Sequence, residues 1–133
     1  MRIISLDRER TLEELRRAAE RLVEKRPDVE AVVLFGSLAE GTATGASDAD
    51  LLIVLKRSEE RFLDRIPPFL EAFRGVGLPV DVFPYTVEEL RRQLAEGSGT
   101  GRTALLLGTQ LAGRLPMEWA DVQREQRKGG RTK

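Results

Sequence analysis

Two kinds of hydrophobic pattern alternate along the chain. Short continuous apolar runs at residues 31–35 (AVVLF) and 51–55 (LLIVL) are typical of strands that are buried on both faces. Residues 79–83 (PVDVF) predict a third strand, and the proline at its start favours a place at the edge of the sheet. Between these runs, longer segments repeat apolar residues every third or fourth position and predict helices.

The first helix is predicted over residues 12–26, because its apolar residues share one face and Pro27 marks its end. The capping-box pattern Ser/Thr-x-x-Glu occurs at residues 11–14 and again at residues 86–89. The second copy predicts a helix that runs to about residue 96. Residues 62–73 also have helical spacing, although the two prolines within them, Pro67 and Pro68, should break or restart that helix.

Turn-forming residues and a change in composition organise the rest of the chain. Residues 97–101 (GSGTG) predict a loop, and residues 102–107 predict a helix that either continues through residues 109–112 or gives way there to a short strand. This order predicts an α/β (α+β) domain over residues 1–115, with helices packed on a small mixed sheet. Residues 116–133 form a charged tail, which we expect to be partly helical or disordered.

Composition narrows the possible chemistry of this 133-residue chain. It contains no histidine and no cysteine, which excludes disulfides, imidazole or thiolate metal sites and Ser-His or Cys-His dyads. Any general base must therefore be a carboxylate, a lysine or a tyrosine. The 22 basic and 22 acidic residues balance, so we do not expect nucleic acid as a partner. We expect a cytoplasmic protein without membrane association, since no apolar run could cross a bilayer or serve as a secretory signal.

Three aspartates lie where packing alone would not place them. Asp48 and Asp50 come just before residues 51–55, and on an extended chain they face the same way. Asp81 lies inside the third predicted strand, where a buried carboxylate would need a compensating charge. If the two strands are neighbours, the three carboxylates converge, and Mg²⁺ or Mn²⁺ suits such oxygen ligands. Taken singly, each aspartate could instead cap a turn or pair with an arginine.

A glycine and a serine follow the first predicted strand directly. At such a junction Gly36 would let an anion approach the backbone N–H groups, and the hydroxyl of Ser37 could contact a phosphate oxygen. A plain turn after a strand is the alternative interpretation. Together with the aspartates, however, this pair predicts a metal site beside a phosphate-binding turn, as phosphoryl-type chemistry requires.

Together these residues resemble a known family. Residues 35–37 (FGS), Gly41 and residues 47–51 (SDADL) are similar to the signature of the DNA polymerase β nucleotidyltransferase superfamily. The resemblance is closest to its minimal nucleotidyltransferases, which are the antitoxin partners of HEPN-domain toxins. It implies the nucleotidyltransferase fold, with Gly36 and Ser37 at the triphosphate of a bound nucleoside triphosphate. It also implies catalytic, metal-binding roles for Asp48, Asp50 and Asp81.

The resemblance further implies a function. Such an enzyme would transfer a nucleoside monophosphate, with ATP as the expected donor, to a hydroxyl acceptor, in this case a tyrosine of a HEPN-type toxin. The chain departs from the family at residues 38–40 (LAE), where arginines are common. A missing arginine removes a phosphate clamp. A non-catalytic module that neutralises or binds a partner by contact is therefore the alternative. A homo- or hetero-oligomer is possible under either interpretation. A small-molecule acceptor held by a separate chain is a third and weaker possibility.

Overall fold

The computed structural model describes residues 2–36 and 49–119, with the side chains of the first helix described from Glu9 onward. In chain order its elements are α1 (Arg2–Lys25), β1 (Val29–Phe35), β2 (Ala49–Leu55), α2 (Phe62–Ala72), β3 (Val80–Thr86), α3 (Val87–Glu96), α4 (Thr100–Leu107) and β4 (Thr109–Gly113). The predicted mixed α/β architecture is confirmed.

The four strands form one sheet in the order β3-β2-β1-β4. Strand β1 pairs antiparallel with β2 and with β4, whereas β2 and β3 run parallel. The sheet is therefore mixed, and β3 lies at its edge, as Pro79 predicted. The register places Phe35 opposite Asp50, and Asp50 opposite Asp81, so these three residues form one row across the sheet.

Both faces of the sheet are covered, which explains the continuous apolar runs in β1 and β2. Residues Leu15, Leu22 and Phe69 of α1 and α2 pack with alternate strand residues, such as Leu51 and Ile53, on one face. We call this the α1–α2 face. On the other, the α3–α4 face, the buried cluster is Ala31, Val33, Phe35, Leu52, Val54, Leu90, Ala104, Leu105 and Trp119. Removal of this apolar surface from water is the main stabilisation of the fold.

Two helix predictions were wrong. Helix α1 begins at Arg2 rather than at residue 12, so Thr11 lies inside the helix and cannot be its N-cap. The preceding residues include no glycine or proline and have adequate helix propensity, so the local capping pattern does not stop the helix. Helix α2 is continuous through Pro67 and Pro68, because Arg65 and Phe69 are buried on either side of the prolines and hold both turns in place.

Other predictions are confirmed or sharpened. The capping box at residues 86–89 is complete: the Thr86 hydroxyl accepts a hydrogen bond from the Glu89 N–H, and the Glu89 carboxylate accepts one from the Thr86 N–H. Residues 109–112 belong to a strand rather than to a continued helix. Trp119 packs on the α3–α4 face. The domain boundary at residue 115 stays a prediction, and residues 120–133 lie outside the described ranges.

The helices that the structure describes do not include a membrane-spanning segment. None of them combines the length and the apolar character that crossing a bilayer requires.

Candidate functional site

Two of the three predicted aspartates lie side by side. Asp50 of β2 and Asp81 of β3 are direct partners in the parallel register, so their side chains project from the same face of the sheet. Adjacent strands are about 4.8 Å apart, which brings the two carboxylates within reach of one cation. Asp50 is half-buried and Asp81 is exposed. The burial penalty expected for Asp81 is therefore not present, because β3 is an edge strand.

An aromatic pair lies beneath the carboxylates on the same α3–α4 face. The rings of Phe35 and Phe83 are 5.5 Å apart between centroids, with an interplanar angle of 59°. Because β1 and β3 flank β2, these rings meet across β2, next to Asp50 in the register. The carboxylates thus stand at the boundary between an apolar layer and solvent, where electrostatic interactions are stronger than in bulk water.

Gly36 follows β1 immediately and lies against Asp50. Its φ is +83°, a conformation that L side chains rarely adopt. A Cβ atom at this position would stand 2.5 Å from Oδ2 of Asp50, closer than such atoms can approach. The backbone conformation therefore favours glycine here, and any side chain at this position would have to displace the Asp50 carboxylate. The structure brings two predicted site residues together in a contact that the sequence did not predict.

Asp48 and Ser37 lie outside the described residues, so their roles stay predictions. The described ranges contain no group of three or more acidic, histidine or cysteine residues placed to hold a metal ion. Of the three predicted metal ligands, the described residues include Asp50 and Asp81. These two residues fit a divalent cation, because paired carboxylates repel each other and supply the hard oxygen ligands that Mg²⁺ or Mn²⁺ prefers.

A buried ion pair that the sequence analysis missed fixes the other end of β3. Arg65 is only 4% exposed, and its guanidinium donates to both carboxylate oxygens of Glu89 at 2.7 and 3.0 Å. It also donates to the carbonyl of Pro84 at 2.9 Å. The hydrogen bond from Arg65 is the main cause that lowers the pKa of Glu89, against the opposing effect of burial. The sequence did hold one signal for this ion pair, because Arg65 lies on the apolar stripe of α2, where a charged side chain needs a partner.

This ion pair stabilises the fold and lies away from the two candidate carboxylates. Arg65 links α2 to β3, and Glu89 also completes the capping box of α3. Asp81 lies three residues before Pro84 on the same strand, about 10 Å along an extended chain. Arg65 is therefore not the phosphate clamp that residues 38–40 lack.

Comparisons with known proteins identify the family of the chain. Residues 15–103, which are more than half of the chain, match the family described as the nucleotidyltransferase domain. A proposed nucleotidyltransferase from Sulfolobus solfataricus is 29% identical, with a TM-score of 0.56 over 67% of this chain and 78% of the other. No curated protein matches the chain.

A second solved structure shares the fold at lower identity. It is a toxin–antitoxin complex with AMP-PNP, in which the matched chain is 17% identical with a TM-score of 0.52. The match covers 91% of this chain and 87% of the other.

Proposed function

Because the chain belongs to the nucleotidyltransferase domain family, we propose that it transfers a nucleoside monophosphate from a nucleoside triphosphate to a hydroxyl acceptor. The donor that we propose is ATP. The observation that carries the proposal is the row of residues at one edge of the sheet. Asp50 and Asp81 are direct neighbours there, and Gly36 touches the carboxylate of Asp50.

The cation that the family implies fits these residues. Asp50 and Asp81, joined by Asp48, would hold Mg²⁺ or Mn²⁺, and Gly36 and Ser37 would contact the triphosphate. Bound there, the cation supplies charge neutralisation for the triphosphate and for the departing pyrophosphate. The backbone at Gly36 can come close to a phosphate because no side chain covers it.

Asp81 is suited to the acceptor side of the reaction because it is exposed on an edge strand. The acceptor hydroxyl attacks the α-phosphorus and gives its proton to the Asp81 carboxylate. The new bond joins the acceptor oxygen to phosphorus, and the bond from the α-phosphorus to the bridging oxygen of pyrophosphate breaks. Pyrophosphate leaves with that electron pair, so the step balances.

The acceptor that we propose is a tyrosine of a HEPN-type toxin, which makes this chain an antitoxin that acts in the cytoplasm. The family resemblance at residues 35–51 supports this proposal. The shared fold with one chain of a toxin–antitoxin complex is compatible with it.

The test is transfer of label from ATP labelled at the α-phosphate to a co-purified HEPN-type partner. Asp50→Asn should abolish labelling while the protein stays folded. Asp64→Asn is the matched control, because Asp64 is an exposed aspartate in a surface ion pair with Arg61. Full labelling by Asp50→Asn would contradict the proposal.

One observation favours the alternative of a non-catalytic module. Residues 38–40 (LAE) replace the arginines that are common in the family and place Glu40 near the predicted phosphate turn. Under this alternative, the double variant Asp50→Asn/Asp81→Asn would still bind and neutralise the partner. Loss of neutralisation with retained binding would favour catalysis.

A further inference from the structure

The hydrogen-bonding groups of edge strand β3 point in alternate directions. The carbonyl of Pro79, just before β3, accepts a bond from the Ala49 N–H at 2.9 Å and therefore faces β2. In a parallel ladder without a bulge, Asp81 and the following odd residues face the same way. The backbone groups of Val80, Val82, Pro84 and Thr86 therefore face away from β2, towards the open edge.

The C-terminal half of this edge is closed. Pro84 has no N–H, and its carbonyl accepts a bond from Arg65 at 2.9 Å. The N–H of Thr86 is bonded to the Glu89 carboxylate at 2.8 Å. Proline and capped backbone groups are how sheet edges avoid pairing with another chain. An incoming strand therefore finds no partner at Pro84 or Thr86.

The N-terminal half of the edge has no strand paired with it among the described residues. Within residues 2–36 and 49–119, no hydrogen bond closes the outward N–H and C=O groups of Val80 or Val82. Asp81 lies between these two valines, with its backbone bonded to β2 and its carboxylate exposed. The open half of the edge is thus the half that carries the candidate catalytic carboxylate.

A groove runs beside this open half, on the α1–α2 face. It has a volume of about 420 Å³, and its lining is mixed. Apolar side chains come from Pro67, Leu70, Phe73, Leu78 and Val80, and charged ones come from Glu71 and Arg74. Leu70 is 41% exposed although it lines the groove. Side chains of Val80 and Asp81 project to opposite faces, so the groove and the carboxylate lie on the two sides of the same edge.

We propose that the acceptor is an extended polypeptide segment that adds to the sheet as a strand at Val80 and Val82. Backbone hydrogen bonds give such binding its affinity, and alternate side chains give it specificity. In the added strand, an apolar side chain enters the groove and the next residue places a hydroxyl beside Asp81. The chemical step rests on the proposed function, whereas the docking requires neither nucleotide nor metal.

The first test uses a labelled nine-residue peptide, Thr-Lys-Thr-Leu-Tyr-Leu-Thr-Lys-Thr, with binding followed by fluorescence anisotropy. In an antiparallel added strand with tyrosine opposite Asp81, both leucine N–H groups face β3 and the tyrosine N–H faces away. Methylation of the leucine nitrogens should weaken binding by roughly tenfold or more, whereas methylation of the tyrosine nitrogen should not. Equal loss for both peptides, or for neither, would overturn the proposal.

Amide exchange in the full-length protein gives an independent readout. Peptide binding should slow exchange of the Val80 and Val82 N–H groups and leave that of Asp81, which already faces β2, unchanged. Protection confined to other strands would contradict docking at this edge.

Two surface variants test the groove without threatening the fold. Leu70→Glu should weaken peptide binding by about tenfold, because it replaces an apolar side chain of the groove with a charged one. Leu63→Glu is the matched control on the same helix, since Leu63 is 74% exposed and does not line the groove. Equal binding by both variants would overturn the assignment. Peptide binding at this edge, together with no label transfer from ATP to the HEPN-type partner, would support the docking site and contradict the proposed function.

Discussion

Gly36 and Asp50 are coupled by steric contact: a Cβ atom on residue 36 would stand 2.5 Å from Oδ2 of Asp50. The contact arises because β1 and β2 pair antiparallel, with Phe35 opposite Asp50, so that the chain leaves β1 beside this carboxylate. The glycine of the predicted phosphate turn therefore also determines where a predicted metal ligand can lie.

Gly36→Ala should impair both stability and the site. The φ of +83° predicts a loss of about 1–2 kcal/mol in the free energy of unfolding, and the new methyl group must displace the Asp50 carboxylate. Gly97→Ala is the matched control, because Gly97 has a φ of +75° with no atom within 4 Å of its Cβ position. Denaturant unfolding should show a similar loss in both variants, because both glycines have a positive φ, whereas only Gly36→Ala should weaken Mg²⁺-dependent nucleotide binding. Equal nucleotide affinity in both variants would contradict the coupling.

The ion pair between Arg65 and Glu89 should matter more than any surface pair. Glu89→Gln leaves a buried guanidinium without its counter-charge, so we expect a loss of about 3 kcal/mol in the free energy of unfolding. Glu71→Gln, in the exposed pair with Arg74, should change it by less than about 0.5 kcal/mol. Urea unfolding at neutral pH measures both values, and similar losses in both variants would refute the assigned role of Arg65.

The same pair predicts a pH dependence. The pKa of Glu89 is lowered on folding, so its stabilisation is fully present above the unfolded pKa of about 4.3 and is lost as pH falls through the folded pKa. The pKa of Asp28 is lowered in the same direction by its hydrogen bond from Arg26. The difference in unfolding free energy between wild type and Glu89→Gln should therefore shrink under acid conditions. A difference that stays constant down to the folded pKa would contradict this assignment.

Trp119 should contribute to the fold although it follows the predicted boundary at residue 115. It is 2% exposed and packs on the α3–α4 face, so Trp119→Ala should lose about 3–5 kcal/mol. Met117→Ala, at a side chain that is 87% exposed, should change the free energy of unfolding by less than about 0.5 kcal/mol. Thermal unfolding of the two variants checks the contrast, and a Trp119→Ala protein as stable as wild type would exclude this packing.

The sequence predicted the elements whose signals are strong and local. Continuous apolar runs identified β1 and β2 because both faces of the sheet are covered, and the capping box at Thr86 and Glu89 identified the start of α3. The start of α1 was missed because the same pattern at residues 11–14 also fits a helix interior. The two prolines of α2 led to the wrong prediction of a helix break. Burial of Phe69 and Arg65, which depends on the tertiary fold, outweighs the local tendency of proline to end a helix.

The sequence suggested the residues of the candidate site but not the contacts between them. The pairing of Asp50 with Asp81 followed once their strands were taken as neighbours, which the register shows. The contact of Gly36 with Asp50 depends on the β1–β2 register, and the role of Arg65 depends on a partner 24 residues away, so neither could be read from local spacing. Asp48 and Ser37 remain predictions.

The most direct test is calorimetric titration of ATP and GTP into the full chain, first with Mg²⁺ and then with EDTA. Wild type is compared with Asp81→Asn and with Asp64→Asn as the exposed control. We expect binding by wild type and by the control that disappears with EDTA, and none by Asp81→Asn in a sample that unfolds like wild type. Nucleotide binding by Asp81→Asn equal to that of wild type, or unaffected by EDTA, would contradict a metal-dependent site on Asp50 and Asp81.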